Sequence, residues 1–256
     1  MFSVLGIGAS GLATENDVLT AVAANIANLN TPGYGSQQPE LASGVSTTVR
    51  PGGATLLGQA LNGGLSVNAG AMLVGNTPEF SSVVEPTQHA TNLAIRGNGF
   101  FIVSTPNGLA FTRAGLFEID AGGELVLPGG AKLYPPIYLP LGEAFRISAD
   151  GVVTASGPTG SKVVGQIKLA LIPNPAGLVS LGNNLYGLSA NSGTPIVGNP
   201  GQNGTGLLQP SAVNQSGTSL AQSLVNLIQA ETAYSANAKV ISVDQQVIQS
   251  TTNLQV

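Results

Sequence analysis

Cysteine is absent from this chain of 256 residues, which excludes disulfides and thiolate metal sites. Charge is almost as scarce. Only 8% of residues carry it, against about 25% in ordinary globular proteins. A free monomer relies on surface charge to stay in solution, so a surface this neutral implies cover by neighbours in an assembly. The net charge of −4 provides no basic footprint, and nucleic acid is not expected as a partner. No run of about 18 uninterrupted apolar residues occurs, so membrane insertion is not expected either. The opening "MFSVLGIGASGLATENDVL" lacks a basic region before a compact apolar run and a cleavage site after it. A cleaved signal peptide is therefore not expected.

Catalytic residue types are equally sparse. The one histidine, His89 in "EPTQHATN", lacks the nearby partners that acid–base or metal chemistry needs, and it reads as a solvated loop residue. Asp120, Asp150 and Asp244 are scattered, and Asp150 belongs to an Asp-Gly turn. The Gly-x-Gly of "GNGFF" leads into a strand and not a helix, so it fails the context of a phosphate loop. No catalytic, cofactor-binding or metal-binding residue is assigned, and the chain is not expected to be an enzyme.

Heptad spacing at both ends is what the sequence does have. Ser3 to Asn28 is predicted as helix, with Leu5, Leu12, Leu19 and Ile26 seven apart. Gly8, Val22 and Leu29 sit three further on, with Glu15 interrupting that second row. Gly6, Gly8 and Gly11 weaken an isolated helix by roughly 1 kcal/mol each relative to Ala, but they let another backbone come close. The helix ends at Asn28, Thr31, Pro32, Gly33 and Tyr34: Pro32 forbids continuation and Gly33 permits a sharp turn. From Thr218 to Val256 there is no Gly or Pro. Leu220, Leu227, Tyr234, Ile241 and Ile248 again repeat at seven, extended by Leu224 and Ala238 and flanked by Val240, Val247 and Leu254. A helix of that length spans roughly 50–60 Å, too long for a compact domain of this size. The two seams are expected to pack as a coiled-coil-like pair, with further copies of the same chain covering the remainder. Leu5, Leu12, Leu19, Val22, Ile26, Leu220, Leu224, Leu227, Tyr234, Ile241 and Ile248 are the expected subunit interface. Tyr34 and Tyr234 are read as packing anchors.

Between the helices the period changes to that of strands. Phe100 to Val103 and Leu109 to Thr112 form a hairpin around Pro106-Asn107-Gly108. A second hairpin turns at Ala121-Gly122-Gly123 and a third at Asp150-Gly151, and "VVGQIKLALIP" reads as one longer apolar strand. Arg96 and Arg113 fall in this module, where either can pair with Glu118 or Asp120. The fold class is α+β, with terminal helices around an all-β centre of hairpins and Gly-rich extended segments. The expected divisions are 1–34 helix, 35–92 Gly-rich extended segment, 93–189 β domain, 190–217 Gly/Pro-rich connector and 218–256 helix.

These stretches together resemble the rod and hook axial proteins of the bacterial flagellum. "NIANLNTPGYG" is similar to the motif that closes that family's first helix, and "NLAIRGNGFFIV" to its LAIxGxGFF strand. "FTRAGLFEIDAGGELV" resembles its YTRxGxFxxDxxGxLV hairpin, and "LVNLIQAETAYSANAKVI" its last helix. The blocks occur in family order and cover nearly the whole chain. Length fits a rod subunit better than a longer hook subunit, and residues 177–195 and 200–216 resemble the distal-rod branch most closely. Another rod or hook position is the alternative, followed by a secreted β-rich binding module on a private coiled-coil stalk. Some family charges are missing: Gly35 stands where a basic residue is usual, and Glu231-Thr232 where Gln-Arg is common. Residues 36–92 match poorly, so no contact is carried over to them.

The resemblance implies a structural subunit that passes unfolded through the flagellar type III export apparatus and self-assembles into a helical tube. Terminal helices would line the inner wall, with β domains outside. The implied partners are copies of itself, neighbouring rod and hook proteins, the surrounding outer-ring bushing proteins and the export apparatus. The implied location is the basal body, from periplasm to outer envelope.

Overall fold

The structure, a computed structural model, describes residues 2–44, 46–50, 55–56, 59–60, 65–68, 70–81, 83–140, 142–157 and 160–253. Leu254, expected beside the C-terminal seam, lies outside them. The chain groups into two units. One comprises Met1–Ala24, Gln37–Asn76 and Leu220–Val256; the other comprises Asn25–Ser36 and Thr77–Ser219.

In the first unit the two helices are α1 (Phe2–Ala27) and α2 (Leu220–Asn253). They pack antiparallel, because contacts that advance along α1 retreat along α2. A Cβ on Gly8 would lie 2.9 Å from Ile241 Cγ1, and one on Gly11 would lie 2.6 Å from Asn237 Nδ2. The glycines thus admit the partner helix, as their spacing suggested. On α2 the buried residues are each small or polar, namely Ser223, Ala230 and Asp244. Leu227, Ile241 and Ile248 of the heptad seam are half-buried beside it. Leu220, Leu224 and Tyr234 are exposed, as are Val225, Ile228, Val240, Val243 and Val247. Glycine gives close backbone approach and small buried area, so most of the larger side chains of α2 remain outside.

Ser36–Ser43 pairs with Ala71–Glu79 as an antiparallel ribbon. Beyond Gly44, whose N–H donates to the Gly70 carbonyl at 2.8 Å, Ser46–Arg50 pairs with Leu65–Asn68 and Thr55–Leu56 with Gln59–Ala60. Thr14 on α1 donates its hydroxyl to the Ala71 carbonyl at 2.9 Å, which fastens the ribbon to the helix.

In the second unit a nine-stranded sheet is built around Phe100–Thr105. One edge of that strand takes Gly108–Thr112. The other is shared by Leu169–Leu171, opposite Phe100 and Phe101, and Lys132–Leu133, opposite Val103 and Ser104. Side chains alternate along a strand, so Phe101 and Val103 enter one core while Phe100 and Ile102 enter another. A continuous apolar run is what burial on both faces requires. The hairpin turn is the two-residue Pro106-Asn107, with Gly108 already paired to Thr105. The hairpins around Ala121–Gly123 and Asp150-Gly151 lie where their turn residues indicate.

Two stretches differ from the sequence-based expectation. "VVGQIKLALIP" is not one strand. Gly160–Gln166 belongs to a three-stranded sheet with Val152–Gly157, and Leu169–Leu171 to the nine-stranded one. The chain changes sheet where Ile167 donates its N–H to the Gly151 carbonyl at 2.8 Å, and an apolar run carries no mark of such a crossing. Residues 190–217 contain strands too: Ile196–Gly198, Leu207–Pro210 and Ala212–Asn214. The last two pair with Leu93–Arg96 and Val84–Pro86.

Gly6 and Gly8 make opposite demands on the helix pair. A Cβ on Gly6 meets no atom within 4 Å. Gly6→Ala therefore stabilises the pair by about 0.5–1 kcal/mol through helix propensity. Gly8→Val drives two methyls into Ile241 and costs about 1–3 kcal/mol by overpacking. Thermal unfolding followed by helical circular dichroism will show a raised Tm for the first and a lowered Tm for the second.

Candidate functional site

The chain leaves α1 through an elbow that lies wholly in the second unit. After Ala27 the backbone makes turn hydrogen bonds, Thr31 N–H to the Asn28 carbonyl at 3.1 Å and Tyr34 N–H to the Thr31 carbonyl at 3.2 Å. Thr31 also donates its hydroxyl to Asn28 Oδ1 at 3.2 Å. Pro32 accepts from Asn184 Nδ2 at 3.3 Å. Gly33 has φ +71°, and a Cβ there would lie 2.2 Å from Ala114 N and 2.4 Å from Arg113 C. Only glycine fits that approach and that left-handed conformation. Its N–H donates to the Asn214 carbonyl at 2.9 Å, and Gly217 N–H donates to the Tyr34 carbonyl at 2.9 Å. Tyr34 is buried, and its hydroxyl donates to Asn25 Oδ1 at 3.3 Å. Burial pushes the Tyr34 phenol above its ordinary range, and Tyr186 adds to the shift. The Tyr186 hydroxyl accepts from Gly35 N–H at 3.2 Å.

Asn214 is fully buried. Its Oδ1 accepts from Ile95 N–H at 2.8 Å and its Nδ2 donates to the Ile95 carbonyl at 2.9 Å. The side chain replaces a strand partner for Ile95, while its own carbonyl holds Gly33. No spacing in "PSAVNQS" singles it out.

Arg113 differs from its expected role. Its guanidinium meets carbonyls and not carboxylates: Nε donates to Gly99 O at 3.0 Å, Nη2 to Gly97 O at 2.7 Å and Nη1 to Ser81 O at 3.3 Å. The rings of Phe80 and Phe100 flank it, their centroids 5.9 and 5.4 Å from Cζ. Burial brings its pKa down to about 10, so the charge persists at neutral pH and pins the Gly-x-Gly turn. Asp120 instead caps its own hairpin, Oδ1 accepting from the N–H groups of Gly122 and Glu124 at 2.8 and 2.9 Å. These bonds, the one from the Glu124 N–H foremost, hold its carboxyl below the ordinary range. The ion pairs among the described residues join Lys132 to Glu124 and Asp120. His89 is exposed in a turn, where its carbonyl accepts from Asn92 N–H at 3.1 Å.

The seam residues lie in α1 and α2. Leu5, Leu12, Leu19 and Ile26 are half-buried and Val22 is buried. Leu227, Ile241 and Ile248 are half-buried; Leu220, Leu224 and Tyr234 are more than 40% exposed. No helix among the described residues is long and apolar enough to cross a membrane.

A helix with large apolar side chains left outside offers a surface for association. Comparison with known proteins identifies the family. Residues 5–34 match the family described as flagella basal body rod protein. Residues 94–155 match the flagellar hook protein FlgE/F/G D1 domain, and residues 209–254 the C-terminal region of the flagellar basal body rod FlgEFG proteins. The flagellar basal-body rod protein FlgG of Buchnera aphidicola (subspecies Baizongia pistaciae) is 34% identical over 97% of this chain and 98% of its own length. Those of Borreliella burgdorferi and Bacillus subtilis are 31% and 33% identical over 99% of both chains. The chain belongs to the FlgG family of flagellar basal-body rod proteins. It is a structural subunit of the basal-body rod.

Two substitutions separate the elbow's contributions. Gly33→Ala combines an unfavourable φ with a backbone clash and lowers unfolding free energy by at least about 2 kcal/mol. Asn214→Leu keeps the volume but strands the N–H and carbonyl of Ile95, and costs about 2–4 kcal/mol. Urea unfolding of the full chain, read as a lower midpoint at unchanged slope, measures both.

Proposed function

We propose that this chain is the distal-rod subunit, polymerising through α1 and α2 into a helical tube. The tube transmits torque and its bore is the export channel. In this reading the chain is structural and has no catalytic role. It travels unfolded through the flagellar type III export apparatus. The rod it builds crosses the periplasm inside the outer-ring bushing proteins and joins neighbouring rod and hook proteins.

The observation that carries the reading is the outer face of α2. Leu224, Ile228, Val240, Val243 and Val247 are each at least 44% exposed. Scattered exposed apolar residues are ordinary, but a row of them along one helix marks an interaction surface. The subunit-interface role of the seam residues belongs to this same reading. Tyr234, 42% exposed in the single chain, is an anchor for a neighbour.

The full-length double variant Leu224→Glu, Ile228→Glu adds charge to that face without touching the buried row. Its monomer will keep wild-type helicity, and it will fail to form filaments in electron micrographs under conditions where the wild type does. In parallel, wild-type amides in α2 will exchange hydrogen at least about tenfold more slowly after assembly. Filaments from the double variant would overturn the reading.

A further inference from the structure

We infer that Lys239 on α2 of one copy seats against Glu15 in a groove of the next copy, with Val240 and Val243 filling the apolar part of that groove. The inference rests on the assembly reading above and goes beyond it by naming the mating surfaces.

The groove lies within the first unit and encloses about 340 Å³. Val18, Leu41 and Ala233 belong to its apolar lining, Gln38 and Gln229 to its polar lining, and Glu15 supplies a carboxylate. Burial raises the Glu15 carboxyl above its ordinary range. A groove with an apolar part and a partly desolvated acid favours an occupant that is apolar and cationic together.

This chain carries such a surface. Neither α1 nor α2 has any lysine or arginine except Lys239. Lys239 is exposed, and no acidic group among the described residues lies within ion-pair distance of it. Val240 and Val243 beside it are exposed as well, and Val247 continues the stripe one turn on. Residues three and four apart share a helix face, so Lys239 and Val243 point the same way, with Val240 next to them. The groove and the stripe sit on different parts of the same unit. Their union is heterologous, and a heterologous contact repeats into a ring or an open helix. Closure within one chain is opposed by the antiparallel register. Gly8 stands opposite Ile241 and Gly11 opposite Asn237, which leaves Glu15 more than a turn of α1 beyond the level of Lys239.

The test uses full-length protein and the critical concentration for polymerisation, with circular dichroism verifying that each variant is folded. Lys239→Glu and Glu15→Lys will each raise the critical concentration about tenfold or more. Combining both changes in one chain will restore assembly, because every contact between copies then holds the same pair of charges with their positions exchanged. Mixing the two single variants will also lower the critical concentration below that of either alone, since a copolymer that alternates them pairs opposite charges at every such contact. Glu15→Gln and Lys239→Gln, which introduce no new charge, will raise it by a smaller factor and lose the salt sensitivity of the wild type. If both charge-reversed single variants polymerise at the wild-type concentration, the pairing is wrong while the assembly reading stands. If the singles fail and the double variant does not recover, the pairing is also wrong. A wild-type chain that does not polymerise overturns the assembly reading itself.

Discussion

The hydrogen bond from Gly33 N–H to the Asn214 carbonyl ties the stretch that follows α1 to the stretch that precedes α2. A second bond, Gly217 N–H to the Tyr34 carbonyl, runs alongside it. Within the second unit, the segment Asn25–Ser36 therefore lies beside the end of the segment Thr77–Ser219. The bond exists only because residue 33 lacks a Cβ, since Ala114 and Arg113 occupy the space one would need. Arg113 in turn is held by the carbonyls of Gly97, Gly99 and Ser81, and Asn214 by the backbone of Ile95. The elbow is thus a chain of backbone contacts, each setting the next. That accounts for an abrupt helix end which local turn chemistry alone leaves unexplained.

Much of this architecture was legible in the sequence, because periodicity reports burial directly. The heptads located α1 and α2 to within a few residues, Pro32 located the end of the first, and Asp-Gly and Gly-Gly turns located the hairpins. What was illegible depends on distant partners. Asn214 sits among Gly, Pro and Ser in a stretch that reads as a connector, and its importance comes from Ile95, remote in sequence. Arg113 invited an acidic partner because ion pairs are the common fate of a buried arginine, yet three carbonyls and two rings satisfy it instead. The break between Gln166 and Leu169 is hidden because both sides of it are apolar for good reason, each buried in a different sheet.

The row that α2 buries was also hard to read, and the reason is instructive. Large residues repeat at seven and draw attention, but the helices approach where Gly8 and Gly11 of α1 admit Ile241 and Asn237, while the buried residues of α2 are Ser223, Ala230 and Asp244. Small residues permit close backbones; large ones in the same heptads cannot all follow them inside. A helix pair of this kind has less apolar area to bury within itself than its composition supplies, at roughly 25 cal/mol for each Å² left in water. The surplus stays outside, where association recovers it.

Scarcity of charge follows from the same geometry. Each charged side chain buried between copies must be paired or incur a desolvation penalty of several kcal/mol, so a surface meant for repeated contact is better neutral. The few charges that remain on the helices then acquire disproportionate weight. A lone lysine among valines and a partly desolvated glutamate in a groove cost little in the free chain, where water reaches both. Brought together away from water, they would interact more strongly than a surface pair does. Apolar stripes alone can slide by a heptad with small loss of area, whereas one ion pair has a single position. In an assembly of neutral helices, the rare charges set the register.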